Sequence, residues 1–401
     1  MKKKRLVSQI CLIVLVFNFC AFCGNLEPSG PPAGTMKPLD QVEPRTAITT
    51  LPITISQSGS YYLTKNFNIS DGTSGIIIGA DHVTIDLSGY SIIGSGSGGI
   101  GIDSSARKNI EIRNGTIRNC YTGIATSAGC DNWTIINVRA VNNGCVGFSV
   151  DGDNSIFKDC HACNNTMDGI STSSNALIIN CSANGNNRKG ISVRYSSVIS
   201  GCTANSNKSY GIYTLSSCVI TNCTANSNAD TGIYTTHACK ISGCNASYNT
   251  GSGMGIETGD NSTVTDCVCN SNSGDGMFVG DHSTVTGNTV TGNARNGIYC
   301  TGGYIARNTV SLNNTLQIAS YAGILVEKHS QVKENTLEGN LKNNILVTST
   351  FNMIEGNFVS GSDYGIKFSS TGNIFMNNRA ASNGTNYNPA GNTDGGGNLS
   401  F

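Results

Sequence analysis

Charged residues are scarce, at 12% of a 401-residue chain, and they balance at 25 Lys+Arg against 25 Asp+Glu. Phosphate backbones are bound through clustered cations, and no basic block exists beyond the first five residues, so nucleic acid is excluded as a partner. Aromatic residues are 7%, with a single Trp. Proline all but stops at Pro52: six of the seven lie between residues 24 and 52. Runs of helix formers are missing too. Beyond residue 60 no window of 12 residues lacks Gly, Asn, Ser and Thr, which excludes a helical architecture. No apolar run after the N-terminus could cross a bilayer, so no membrane span is expected in the mature chain.

What is abundant is glycine, at 49 residues, together with Asn, Ser and Thr. The start, "MKKKRLVSQICLIVLVFNFCAFC", is cationic, then apolar from Ile10 to Phe22, then small-residue-rich, which describes a secretory signal over residues 1–23. A lipoprotein signal using Cys20 or Cys23 is less favoured, because Phe22 is a poor small residue. The protein is therefore expected to be exported to a periplasmic, cell-surface or extracellular location. A Pro-rich lead follows at 24–47, then a structured body at 48–385 opening on a cap near residues 48–75, and a polar tail at 386–401.

The body repeats. "GCTANSNKSYGIYTLSSCVITNC" is followed 21 residues later by "NCTANSNADTGIYTTHACKISGC". Gly followed by an apolar residue recurs at Gly123, Gly147, Gly169, Gly190, Gly211, Gly232, Gly255, Gly276, Gly297, Gly323 and Gly365, with Asn344 filling one place. A fixed period over so many copies is the mark of a solenoid, in which a unit buries its apolar side only by stacking on its neighbours. Each unit carries three short alternating bursts separated by turn residues. Its length excludes helical repeats, and the absence of a Leu framework excludes leucine-rich repeats. The fold expected is all-β, a single-stranded parallel β-helix of about 14 coils, working as a monomer.

From "GSYYLTKNFNI" through "GIIIGADHVTIDLSGYSIIGSGSGGIGI" and "NIEIRNGTIRNC" onward, the chain resembles the secreted right-handed parallel β-helix proteins of the pectin-lyase-like superfamily. That superfamily includes lyases, hydrolases, epimerases, adhesins and copper-site maturation proteins of the NosD type, so the likeness implies the fold and leaves the activity open.

Aligned units place Cys160, Cys181, Cys202, Cys223, Cys244 and Cys267 in one column, which continues as Asn288, Asn308, Asn335, Asn357 and Asn378. The resemblance implies an asparagine ladder at a turn, with side-chain amides bonded along the stack; the thiols then stand in for amides as small buried groups. Two alternatives compete. Fourteen of the 17 cysteines lie beyond residue 23 in an exported chain, which permits disulfides, but rungs about 4.8 Å apart exceed the Cβ spacing a bridge prefers. Soft-metal binding is suggested by Cys160-His161-Ala162-Cys163 and Cys267-Val268-Cys269, and would make this a copper-handling protein. A smaller column holds Cys218 and Cys239 with Ser197, Ser262 and Ser283.

The residue after each Gly-apolar pair should point outward. That column reads Ser149, Ser171, Ser192, Tyr213, Tyr234, Glu257, Phe278, Tyr299, Leu325, Leu346, Lys367. Exposed rings in a line describe a contact face, so Tyr213, Tyr234, Glu257, Phe278 and Tyr299 are the expected carbohydrate-binding residues, with a polysaccharide or cell-surface glycan as partner. The competing explanation is that the rings only stabilise one another. A further column holds Ser216, His237, Asp260 and Asp281. Paired carboxylates on adjacent rungs beside an imidazole could act as acid and base or hold calcium, making Asp260, Asp281 and His237 candidate catalytic residues and Asp260 and Asp281 candidate metal ligands. Asp is also a common turn residue that binds backbone amides. Binding along the outer face is the leading function, a calcium-assisted lyase or epimerase the second, and copper handling the third.

Overall fold

A computed structural model describes residues 44–401 except Asp71 and Ser97. The expected signal peptide and most of the Pro-rich lead lie outside the described residues. From Thr46 to Phe401 the chain forms one unit in which strands are the only regular element. Among the described residues there is no helix long and apolar enough to cross a membrane.

The solenoid has three walls. The first is a parallel sheet of 16 strands running from Ile53–Ile55 to Thr385–Asn388. The second and third are joined early in the chain by two long strands, Ile110–Arg118 and Trp133–Val141, that continue round the corner between them. The chain thus winds more often than the 14 coils expected, for two reasons. Residues 48–75, expected as a cap, already hold rung strands, with Ile53 opposite Ile76 and Phe67 opposite Ile92. Likewise the expected polar tail is a last coil, in which Thr393 pairs with Ile374 and Leu399 with Arg379. Tyr387 packs against the core, but little else in these strands is apolar, so composition disguised them.

The corners explain the composition. In one coil Ser217, Asn222 and Ser227 take positive φ of 62°, 53° and 57°; in the next, Ala238, Gly243 and Tyr248 take 56°, 62° and 59°. Within a coil such residues stand five positions apart, and the middle one directly follows a three-residue strand, Val219–Thr221 or Lys240–Ser242. Left-handed backbone disfavours most side chains, so Asn, Ser and Gly dominate.

Inside, Ile170, Ile191, Ile212, Ile233 and Ile256 lie fully buried on successive rungs. Each burial contributes roughly 1.5–3 kcal/mol against solvent exposure. The glycine before each is required by space: a Cβ on Gly211 would fall 2.7 Å from the carbonyl oxygen of Gly232, and one on Gly232 would fall 2.9 Å from that of Gly255.

The thiol column is real and internal. Cys181 N–H meets Cys202 Sγ at 3.4 Å, Cys244 N–H meets Cys267 Sγ at 3.5 Å, and all fourteen described cysteines are free. The smaller column behaves alike: Cys218 N–H meets Cys239 Sγ at 3.4 Å and Cys239 N–H meets Ser262 Oγ at 3.3 Å. A second amide ladder went unread in the sequence: Asn143, Asn165, Asn186, Asn207, Asn228, Asn249, Asn272, Asn293, Asn313 and Asn340, all buried. In it Asn186 Nδ2 donates to Asn207 Oδ1 at 3.1 Å and to Ala162 O at 3.0 Å, so both of its hydrogens are paired inside the wall.

Candidate functional site

The outer side of the first wall carries the column read from the sequence, in register. Ser192 stands opposite Tyr213, Tyr213 opposite Tyr234, Tyr234 opposite Glu257, Glu257 opposite Phe278 and Phe278 opposite Tyr299. All six residues are half-buried. Tyr213 and Tyr234 stack with centroids 5.1 Å apart and planes 4° from parallel. Phe278 and Tyr299 meet edge-to-face at 5.0 Å. Such contacts contribute about 0.5–1.5 kcal/mol per pair, so the rings brace one another as well as facing outward.

The residue immediately before each repeat glycine completes the face, and the sequence reading missed it. Tyr210 packs on both Tyr213 and Tyr234, at 5.5 and 5.3 Å. Lys189 holds its ammonium 3.5 Å from the centre of the Tyr213 ring, a cation–π contact. Asp275 is buried beside this floor, accepting from Asn296 N–H at 2.8 Å. All three precede a glycine of the 21-residue period, which was the signal available.

Burial sets the electrostatics. It raises the Glu257 carboxyl above its ordinary pKa, although Thr231 Oγ1 donates to it at 3.4 Å, and it raises Asp275 against two amide hydrogen bonds from Asn296. Burial likewise pushes the Tyr210 phenol up to about 12. The Tyr299 hydroxyl donates to Glu327 Oε1, and burial with that carboxylate raises its pKa as well. A shallow depression of about 130 Å³ lies between Tyr234, Glu257, Phe278 and His237. The open stripe ends at Tyr299: Leu325 and Leu346 also point outward, but they are covered and cluster with Ala322.

His237, Asp260 and Asp281 occupy successive rungs at the corner between the first and second walls. They are brought together as turn acceptors: Asp260 N–H donates to His237 Nδ1 at 3.2 Å, and Asp281 N–H donates to Asp260 Oδ1 at 2.9 Å. Calcium wants six to eight oxygens. Here one carboxylate oxygen already serves a backbone amide, Lys328 Nζ stands 3.6 Å from Asp281 Oδ2, and no third carboxylate joins them, so the pair does not fit that ion. The soft-metal pattern is divided by the wall: Cys160 is buried while His161 is exposed and bonded to Ser182 Oγ at 2.7 Å. Among the described residues no three His, Cys, Asp or Glu side chains are placed to hold a metal.

The sequence pattern of the right-handed β-helix region matches residues 53–195 and 170–316. The chain belongs to the right-handed β-helix family. No curated protein sequence matches it. Among solved members of similar shape, the A-module of Azotobacter vinelandii mannuronan C-5 epimerase AlgE6 is 17% identical, covering 86% of this chain and 91% of that one, with a TM-score of 0.43. The AlgE4 A-module of the same organism is 18% identical over 84% and 91%, with a TM-score of 0.37. The tailspike of E. coli bacteriophage HK620, solved in complex with a pentasaccharide, is 12% identical over 85% and 72%, with a TM-score of 0.36. At these scores the right-handed β-helix is all that is shared, and the likenesses carry no argument about activity.

Proposed function

We propose that this is an exported β-helix protein that binds polysaccharide along the outer side of its first wall, with Tyr213, Tyr234, Glu257, Phe278 and Tyr299 as the contact residues and Lys189, Tyr210 and Asp275 at their border. The observation that carries this reading is the unbroken register of four half-buried rings and one carboxylate, Glu257, over consecutive rungs. Flat apolar faces about 4.8 Å apart, interleaved with hydrogen-bonding groups, present an extended chain of sugar rings with a repeating surface. Tyr234→Ala removes half of the stacked pair. Retention on an immobilised polysaccharide should then fall; retention equal to wild type across a panel of matrices counts against the reading.

A second reading, an enzyme acting on the same polysaccharide, is favoured by the place of Glu257 between two rings, where burial raises its carboxyl pKa and lets it hold a proton more readily than an exposed carboxylate. Formation of unsaturated sugar product from uronic polysaccharides, lost in Glu257→Gln, would support turnover over binding alone.

A further inference from the structure

We propose a second ligand site, round the corner from the first wall, where the loss of one residue from one turn opens a slot that takes a single neutral pyranose ring. It goes beyond the first-wall reading and uses different side chains.

The slot follows from turn lengths. Val279, Cys300 and Val326 are partners on three successive rungs of the first wall, and Val285, Ile305 and Val332 are partners on the second. Val285 lies six positions after Val279 and Val332 six after Val326, but Ile305 only five after Cys300. The middle turn is drawn inward between two full-length ones, leaving a cavity of about 310 Å³, at the small end of ligand clefts.

Its walls are rings. His282 and His329 hold equivalent left-handed positions, with φ of 56° and 50°, on the flanking rungs, and Gly302 sits between them. Two rung spacings come to roughly 9.6 Å, whereas a flat ring packed on both faces needs about 7–8 Å. His329 is held from behind: its other face stacks on Phe351 at 5.4 Å with planes 6° apart. The floor is the backbone of Gly302 and Gly303.

The polar lining selects the class of ring. Asp281 Oδ2 and Lys328 Nζ stand 3.6 Å apart, beyond the 2.7–2.9 Å of a charge-assisted hydrogen bond, so both keep capacity for a third group. Neighbouring hydroxyls on a sugar can donate to the carboxylate and accept from the ammonium at once, while the C–H face of the ring packs on imidazole. The two charges cancel, which favours a neutral sugar over a uronate or an amine. Asp281 Oδ1, buried and without a partner, points at Gly302, where a Cβ would lie 2.8 Å from it and from Lys328 O; this keeps the floor free of side chains.

The chain has five histidines, so its imidazole carbon–proton NMR spectrum is simple. Titration with methyl glucoside, methyl mannoside and methyl galactoside should move the His282 and His329 signals together and saturably with at least one of them. Asp281→Asn should weaken that response about tenfold, since it removes a charged acceptor. His282→Gly, tolerated by the left-handed backbone, should abolish the His329 shift. Movement of neither signal or of only one, or a response to phenol in place of the glycosides, overturns the proposal. Failure of the first-wall reading appears instead as undiminished polysaccharide retention in Tyr234→Ala, so the two fail separately.

Discussion

The backbone amide of Cys267 donates to the side-chain oxygen of Asn288 at 2.9 Å. At this joint a column of thiols becomes a column of amides without a change of place in the coil. Above it, Cys223 N–H meets Cys244 Sγ at 3.5 Å; below it, Asn288 Nδ2 reaches Asn308 Oδ1 at 2.9 Å and Val264 O at 3.1 Å. Sulfur accepts weakly and brings one donor where the amide brings two, so the two halves of the column are unequal in strength.

Cys267→Ala removes the acceptor for Cys244 N–H and should cost about 1–3 kcal/mol. Cys267→Asn keeps an acceptor and adds a donor toward Asn288, and should stay within about 1 kcal/mol of wild type. Chemical denaturation of the two variants checks this; equal losses would mean the thiol serves only as filler.

Asn228 belongs to the all-amide ladder, where its Oδ1 accepts from both Asn207 N–H and Asn207 Nδ2, at 3.0 and 3.1 Å. Asn228→Ala leaves two buried donors unpaired and should cost about 3 kcal/mol. Because a solenoid opens locally, hydrogen exchange at the Asn207 amide should quicken more than exchange at distant rungs.

Burial raises the Cys120 thiol to about 11 and the Cys300 thiol to about 12, and pushes Cys269 up further. Thiolate is the reactive form, so these side chains should resist iodoacetamide at pH 8. Cys145 and Cys163, only half-buried, should label first, and the rest only in denaturant. Mass spectrometry of labelled peptides reads the order, and rapid native labelling of Cys300 would contradict it.

Glu257 and Asp275 both have carboxyl pKa values raised by burial. The folded state therefore binds protons more tightly than the unfolded one, so their contribution is fully present below the ordinary carboxyl range. It is lost as pH rises through the raised folded values. Glu257→Gln should flatten the fall in Tm from that range upward, and Glu257→Gln with Asp275→Asn should flatten it further. A Tm profile identical to wild type would remove the desolvation argument.

The period of Gly-Ile steps was enough to place Tyr234 beside Tyr213 and Cys223 beside Cys244, because parallel strands in register turn sequence spacing into contact. It was not enough for the Asn207–Asn228 ladder. An amide that points into the wall and one that caps an exposed corner are the same letter in the same Asn-rich turn. Lys189, Tyr210 and Asp275 were passed over because the alternation that marks strands stops one residue after them. Lys328 stands five residues after Gly323, as Asp281 stands five after Gly276, but the turn between them is one residue short and places Thr301 in that column, so the column looked closed.

What the sequence determined alone was the winding: a recurring glycine where the next rung's carbonyl leaves no room for a Cβ, and an apolar residue after it with nowhere to go but inward. What only the tertiary structure decided was how neighbouring coils share atoms at the corners. There Asp260 is committed to the amide of Asp281, and one missing residue before Gly303 opens a gap between two imidazoles. A corner's depth and spare hydrogen-bonding capacity depend on the lengths of the rungs above and below it, and no single repeat carries that information.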